Sequence, residues 1–428
     1  MSNQLVDQIM DARARTLLLV EGLDDRQLMG PRMDIVNPLR WEIGHVAYFY
    51  EYWVLRRHLG EAPILADVDE LYDSIGIAHD DRWDLPLPTL ETTLEYMHEV
   101  QTRVCRHIEQ GDVDERRDYL ARYALFHEDM HTEAFTYTRQ TLGYETPGIG
   151  THMQIDLDPD GWSGDAAIPG GNFMLGASAD DGFVFDNEKW GHERKVAPFR
   201  IARSAVSNAE FAAFVDAGGY RERAHWSDEG WTWRCEQGCE HPVYWRRAHG
   251  GWEQRRFDRW QPLQRCSAVI HVSWHEAQAY CRWAGRRLPS ELEWEVAAAG
   301  EPASDRMSLR PIKRRYPWGD SLPAPHLANL DGHALGTIDV AALPAGDSAF
   351  GCRQMIGNAW EWTETLFEPY PGFTPDMYED YSQPLFGNTR VLRGGGWATR
   401  GRLIRNTWRN YYGAHRNDVF AGFRTCAL

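Results

Sequence analysis

The sequence is short of several things, and each shortage removes a class of protein. Cysteine is sparse and odd in number, seven in 428 residues. That is no disulfide framework, and it points to a reducing compartment. Positive charge is in deficit: 45 Lys and Arg stand against 63 Asp and Glu, a formal charge of −18. Proteins that coat nucleic acid or bind anionic membranes want a basic face, so no nucleic-acid partner and no membrane partner is expected. No apolar run approaches ~18 residues, so nothing is expected to span a bilayer. The opening stretch, residues 1–22, lacks the basic start and small-residue cleavage site of an export signal and reads as an amphipathic helix. There is no internal repeat and no low-complexity tract. A cytoplasmic globular protein of two or three domains is the expectation.

What is present divides near residue 150. The first 150 residues hold three of the 19 tryptophans, Trp41, Trp53 and Trp83. They show helical periodicity with start and stop signals: Asn37-Pro38 to Gly60, Thr89 to Gly111, and Asp114 to Gly143. With the opening helix these predict a four-helix bundle over residues 1–150, an architecture that builds metal sites from facing helices. A long loop, about residues 61–88, joins two of them. Residues 151–428 carry the remaining tryptophans, many glycines and short apolar runs, with a helical period only around Trp274 to Ala299. They predict a second domain of short strands and much loop, so the chain as a whole reads as α+β. Thr146 to Asp165, with Pro147, Gly148, Gly150 and Pro159, is the expected linker.

His127 and His131 are four apart on a predicted helix, so both imidazoles leave one face and can chelate one divalent ion, with Fe, Zn, Ni or Cu all suited. His45 sits mid-helix on an aromatic face, where a buried imidazole needs a partner. The three together are the candidate metal ligands; a satisfied core histidine is the plain alternative. His127-Glu-Asp-Met-His131 also fits the zinc-hydrolase pattern H-E-x-x-H, with Glu128 as general base, although no third ligand is evident downstream. Cys235, Cys239 and His241 have an unusual spacing for a zinc knuckle, no second pair is close, and the cysteines read as free thiols. His98 and His107 read as surface or packing residues, and Gly394-Gly395-Gly396 as a tight turn.

Eight motifs give the second domain a resemblance. They are Ile168-Pro-Gly-Gly-Asn-Phe-Met-Leu-Gly176, Val206-Ser-Asn-Ala-Glu-Phe211, Val272-Ser-Trp-His-Glu-Ala277 and Arg287-Leu-Pro-Ser-Glu-Leu-Glu-Trp-Glu295. Tyr316-Pro-Trp-Gly319, Gly357-Asn-Ala-Trp-Glu-Trp362, Arg393-Gly-Gly-Gly-Trp397 and Ala421-Gly-Phe-Arg424 follow. Residues 151–428 thereby resemble the formylglycine-generating-enzyme-like (sulfatase-modifying factor) domain, which implies a C-type-lectin-like fold. Asn37-Pro-Leu-Arg-Trp-Glu-Ile-Gly-His45 and His127-x-x-x-His131 resemble the ligand pattern of the DinB-like bundle. The two in this order are similar to the ergothioneine sulfoxide synthases, nonheme iron enzymes that use O2 to join a sulfur donor to imidazole C2 of hercynine, the trimethylated betaine of histidine.

The resemblance implies Fe(II) on His45, His127 and His131, with O2 as co-substrate, and it disfavours the hydrolase. Arg409-Asn-Tyr-Tyr412 resembles the segment holding hercynine's carboxylate and trimethylammonium, which assigns Asn410, Tyr411 and Tyr412 to hercynine; a cation is best held by aromatic faces. Trp41 and Trp408 are candidates to complete the cage. Glu368-Pro-Tyr-Pro-Gly-Phe373 resembles the segment with the catalytic tyrosine, assigning Tyr370, with Tyr378 and Tyr381 as competitors. Asn358 is a candidate ligand for calcium.

Two departures bear on the sulfur donor. Enzymes using γ-glutamylcysteine carry paired arginines in the long bundle loop, whereas Tyr72-Asp-Ser-Ile-Gly-Ile-Ala-His-Asp-Asp-Arg-Trp-Asp84 offers Arg82 alone among acidic residues and His79. Carboxylates accept from sugar hydroxyls, so such a loop suits a polyol better than a dianion. Where the family has a glutamine before the second histidine of the pair, this chain has Met130. Both departures resemble the selenoneine synthase branch, which implies a selenosugar donor and a C–Se bond. The alternatives are a sulfur enzyme taking γ-glutamylcysteine or cysteine, the zinc hydrolase, and a lectin-like protein that only binds.

Overall fold

The computed structural model describes residues 2–151 and 163–428. They form two compact units, Met1–Ile149 and Gly150–Leu428. Of the expected linker, residues 152–162 lie outside the described residues.

The first unit has four long helices: α1 (Ser2–Val20), α2 (Leu39–Tyr50), α3 (Leu90–Gln110) and α4 (Glu115–Leu142). α2 runs without a break into a π-helical turn, Glu51–Arg56, a wider winding that often accompanies functional sites. The ends fall where local chemistry dictates. Thr89 Oγ1 accepts the Thr92 amide at 3.2 Å, and Asp114 Oδ1 accepts that of Arg117 at 2.9 Å, each satisfying a first-turn N–H. Gly143 closes α4 at φ 67°, a left-handed turn that costs glycine little. α3 buries one stripe, Tyr96, Met97, Val100, Val104 and Ile108, each contributing roughly 1.5–3 kcal/mol. α2 is different, since every residue except Arg40 is buried. Polar side chains on it therefore need internal partners. The long loop folds back as two short turns, Val68–Tyr72 and His79–Trp83.

The second unit has short strands in several small sheets. Two of its strands, β1 (Gly171–Leu175) and β2 (His192–Val196), pair as an antiparallel hairpin. A four-stranded sheet contains β3 (Trp360–Leu366), β4 (Arg390–Arg393) and β5 (Arg409–Tyr412), with Ala421–Gly422 parallel to the far edge of β3. The structure has more helix here than periodicity predicts. Trp274–Trp283 and Glu291–Ala299 are separate helices, parted at Arg286–Arg287, and Asn208–Asp216 and Asp228–Glu236 are two more. Nine or ten residues each are too few turns for a sustained period.

The motifs scattered along this unit meet in buried ion pairs. Arg393 reaches Glu291 at 2.6 Å and Glu295 at 2.5 Å, and Arg409 reaches the same Glu291 at 2.7 Å. Arg424 grips Glu361 with two bonds of 2.6 and 2.8 Å, and the Trp294 indole donates to that carboxylate at 2.8 Å. The glycine run is a tight turn: at Gly394, φ 96°, a Cβ would stand 2.5 Å from the Met355 carbonyl.

Candidate functional site

His45 occupies the middle of α2, and His127 and His131 lie one turn apart on α4. Ligand-capable nitrogens of the three lie within 4.8 Å of one another, the one such group of His, Cys, Asp and Glu among the described residues. Nε2 of His127 and Nε2 of His131 are 3.2 Å apart. Two nitrogens each about 2.1 Å from one ion and at right angles are roughly 3 Å apart, so this pair already has a chelating separation.

The outer nitrogens explain the orientation. His45 Nδ1 lies 2.9 Å from the Tyr72 carbonyl, and His131 Nδ1 lies 2.6 Å from Glu42 Oε1. A carbonyl and a carboxylate only accept, so Nδ1 carries the proton in both rings and Nε2 offers its lone pair to an ion. Stacking sets the ring planes. His127 lies on Phe49 at 3.9 Å between centroids and 13°, and His45 on Trp41 at 4.7 Å and 10°. Burial holds both His45 and His127 well below the ordinary histidine pKa; the charge of His131 pushes the same way, and Arg82 lowers His45 further. His45 and His127 are thereby held as neutral imidazoles, the form that binds a divalent metal. Glu42, Tyr72 and Phe49 escaped the sequence reading. One available signal was Gly44, an isolated glycine inside an aromatic helix. A Cβ there would stand 2.1 Å from the Tyr72 ring, so only glycine lets Tyr72 lie against α2 and aim its carbonyl at His45.

Glu128 does not face this cluster as a hydrolase base. It accepts from Arg13 Nε at 2.9 Å and Thr16 Oγ1 at 2.8 Å, both on α1, and an adjacent helical position turns about 100° away from His127. Met130 is half-buried on the turn between the two histidines. Arg82 is engaged: Nη1 donates to Asn37 at 2.6 Å, and its guanidinium carbon lies 4.1 Å from the Trp41 ring centroid. Trp41 is itself 1% exposed, bonded through its indole to Leu71, and carries both His45 and Arg82. It is therefore unavailable to a substrate cage. His107 pairs with Glu61 at 2.6 Å near the surface, in keeping with a packing role.

In the second unit, strand alternation divides the expected hercynine residues. Asn410 and Tyr412 share one face of β5, while Tyr411 points to the other, stacked on Phe367 at 4.0 Å with its hydroxyl donating to the Tyr381 carbonyl. One cage from all three is therefore excluded. Asn410 Oδ1 accepts the Tyr411 amide at 2.8 Å, and the Arg416 guanidinium carbon lies 5.2 Å from the Tyr412 ring. Trp408 is core, 3% exposed and edge-on to Trp360. Tyr370 is buried, with Arg409 at 4.1 Å from its ring and His192 edge-on at 4.7 Å. Its hydroxyl has no hydrogen-bond partner among the described residues, and burial pushes its pKa well above the ordinary tyrosine value. Asn358 Oδ1 accepts from Asn329 at 3.0 Å and from the Ile338 amide at 2.8 Å, and its amide donates to Gln354 at 2.6 Å. These bonds occupy the oxygen that calcium would need. All seven cysteines are free.

A three-imidazole centre in a helical bundle, in one chain with a lectin-like domain, defines a two-domain class. Residues 8–137 match the DinB superfamily, and residues 161–427 match the sulfatase-modifying factor enzyme 1-like domain. The chain is 39% identical to a hercynine oxygenase of Mycolicibacterium thermoresistibile, over 98% of this chain and 94% of that one. It is 37% identical to a hercynine oxygenase of Mycobacterium tuberculosis, over 98% of each. The second domain alone is 33% identical to a formylglycine-generating enzyme of Streptomyces coelicolor, over 56% of this chain and 80% of that one. The chain belongs to the same family as these hercynine oxygenases. Among the described residues no helix is long and apolar enough to cross a membrane.

Proposed function

We propose that this protein is an iron(II)- and O2-dependent enzyme acting on hercynine, and that it joins the selenium of a selenosugar to imidazole C2. The observation carrying the reading is the set of three imidazoles, two with Nδ1 anchored outward and all within one ion's reach. The relatives' names supply hercynine and oxygenation. Bound iron would supply open positions for O2 and a soft chalcogen donor. The chain's own residues do the rest. Glu42 and the Tyr72 carbonyl fix two rings and their tautomers. Tyr412 offers an aromatic face to the trimethylammonium, with Asn410 beside it on the same strand face. Tyr370, whose phenol is held in its protonated form and has no acceptor among the described residues, is the proposed proton donor.

The donor choice rests on the loop over residues 72–84. Its single arginine is committed to Asn37 and Trp41, which leaves no arginine pair for two carboxylates. Its carboxylates can accept from sugar hydroxyls. Replacing C2–H and Se–H by C–Se is a two-electron oxidation, with O2 as acceptor. The test is a competition in which iron-loaded protein receives hercynine and O2 with a selenosugar and γ-glutamylcysteine together. A selenium adduct by mass spectrometry is expected. A sulfur adduct alone overturns the donor and leaves the hercynine reading intact.

A further inference from the structure

The second unit has a cavity of about 590 Å3 that uses none of the residues assigned above. That volume is typical of a small-molecule site. Met174, Trp190 and Ile312 line it while 50%, 49% and 43% exposed, an apolar patch half open to solvent among the described residues. Five cationic side chains line the cavity against two carboxylates, Asp181 and Glu193, in a protein of net charge −18. Arg310 and Arg314 share one carboxylate, Glu301, at 2.7 and 2.8 Å. Arg315 has none: Nη1 donates to the Asp181 carbonyl at 2.8 Å and Nε to the Tyr316 hydroxyl at 3.2 Å, both neutral acceptors. Among the described residues no ion pair neutralises it. Lys313, by contrast, is fixed beneath the cavity by the Gly176 and Met174 carbonyls and by Glu295.

We propose that this cavity is a second binding site, for a small organic anion with a flat apolar body. The flat body lies on Trp190 between Met174 and Ile312, and the anionic group pairs with Arg315, whose planar fork suits a carboxylate, sulfonate or phosphate. The other cations of the lining are held by Glu301, Glu295 and Glu188, so among the described residues Arg315 is the one that offers an anion an unpaired local charge.

The probe is 8-anilinonaphthalene-1-sulfonate, titrated by fluorescence into the full-length protein, with N-phenyl-1-naphthylamine as its uncharged counterpart. The expected result is one saturable site, with affinity weakened about tenfold or more by Arg315→Ala and by Trp190→Ala, and weaker binding of the uncharged probe. Unchanged affinity in both variants overturns the site. Equal binding of the two probes overturns its preference for an anion. Circular dichroism of each variant separates lost binding from lost folding.

Discussion

Glu42 Oε1 stands 2.6 Å from Nδ1 of His131, three residues before His45 on the helix that supplies the other side of the cluster. One turn of α2 thus contributes one imidazole of the cluster and also orients another on α4. Glu42→Gln keeps the shape but weakens the acceptor. We expect it to lower metal affinity roughly 10–100-fold, read by competition with a chelator of known strength. Wild-type affinity in this variant would show the contact to be incidental.

Gly44→Ala should displace Tyr72, because the new methyl has no room against that ring. Overpacking of this kind costs about 1–3 kcal/mol. The carbonyl that orients His45 moves with the ring, so metal affinity should fall as well as the unfolding midpoint. A loss of stability with unchanged metal binding would separate the two effects and refute the link.

Glu128→Gln distinguishes the metal readings. Arg13 and Glu128 are both buried, and stripping one partner from such a pair costs about 3–5 kcal/mol. The variant should be less stable yet bind metal as wild type does at low temperature. Retained stability with loss of a peptidase activity would restore the hydrolase.

Tyr411 and Tyr412 should behave differently when each is changed to alanine. Tyr412→Ala should weaken hercynine binding in calorimetry by about 0.5–2 kcal/mol, the range for a cation over an aromatic face. Tyr411→Ala removes the Phe367 stack and should act first on stability. Full hercynine affinity in Tyr412→Ala would rule out its face as the cation site.

His271 gives the second unit a pH dependence. Burial depresses its pKa to about 3, against 6.5 for the free side chain. Below pH 6.5 the unfolded chain therefore takes up a proton that the folded chain refuses, and stability falls as pH falls. The slope for this one group is roughly 1.4 kcal/mol per pH unit between about pH 6 and 4. Glu276, raised to about 7 by burial, works in the opposite sense, favouring the folded chain as pH drops below 7. It is present in both proteins compared. His271→Gln should flatten the acid side of the profile relative to wild type; parallel profiles would exclude His271 as the cause.

Much of the first unit was legible because its signals are local. Thr89, Asp114 and Gly143 cap the helices they announce, and His127 and His131 share a face by spacing alone. Glu42 and the Tyr72 carbonyl were not legible, since their partners are 89 and 27 residues away, and only the packed bundle brings them together. The two unexpected helices of the second unit had weak periods, yet Ser207 with Glu210 forms a capping box at the start of one of them. In Arg409-Asn-Tyr-Tyr412 the motif itself carries no sign that alternate residues of a strand face opposite ways.

The buried arginine–glutamate pairs change what the second unit's motifs mean as a diagnosis. Arg393, Glu291, Glu295, Arg424 and Glu361 hold one another, so a chain can keep all of them and carry any reaction or none. They also constrain inheritance, since losing one partner strands a charge in the interior and drift must proceed by paired exchanges. The string of motifs therefore certifies a scaffold. What the first unit adds is written in far fewer letters, three histidines on two helices and the carbonyl and carboxylate behind them.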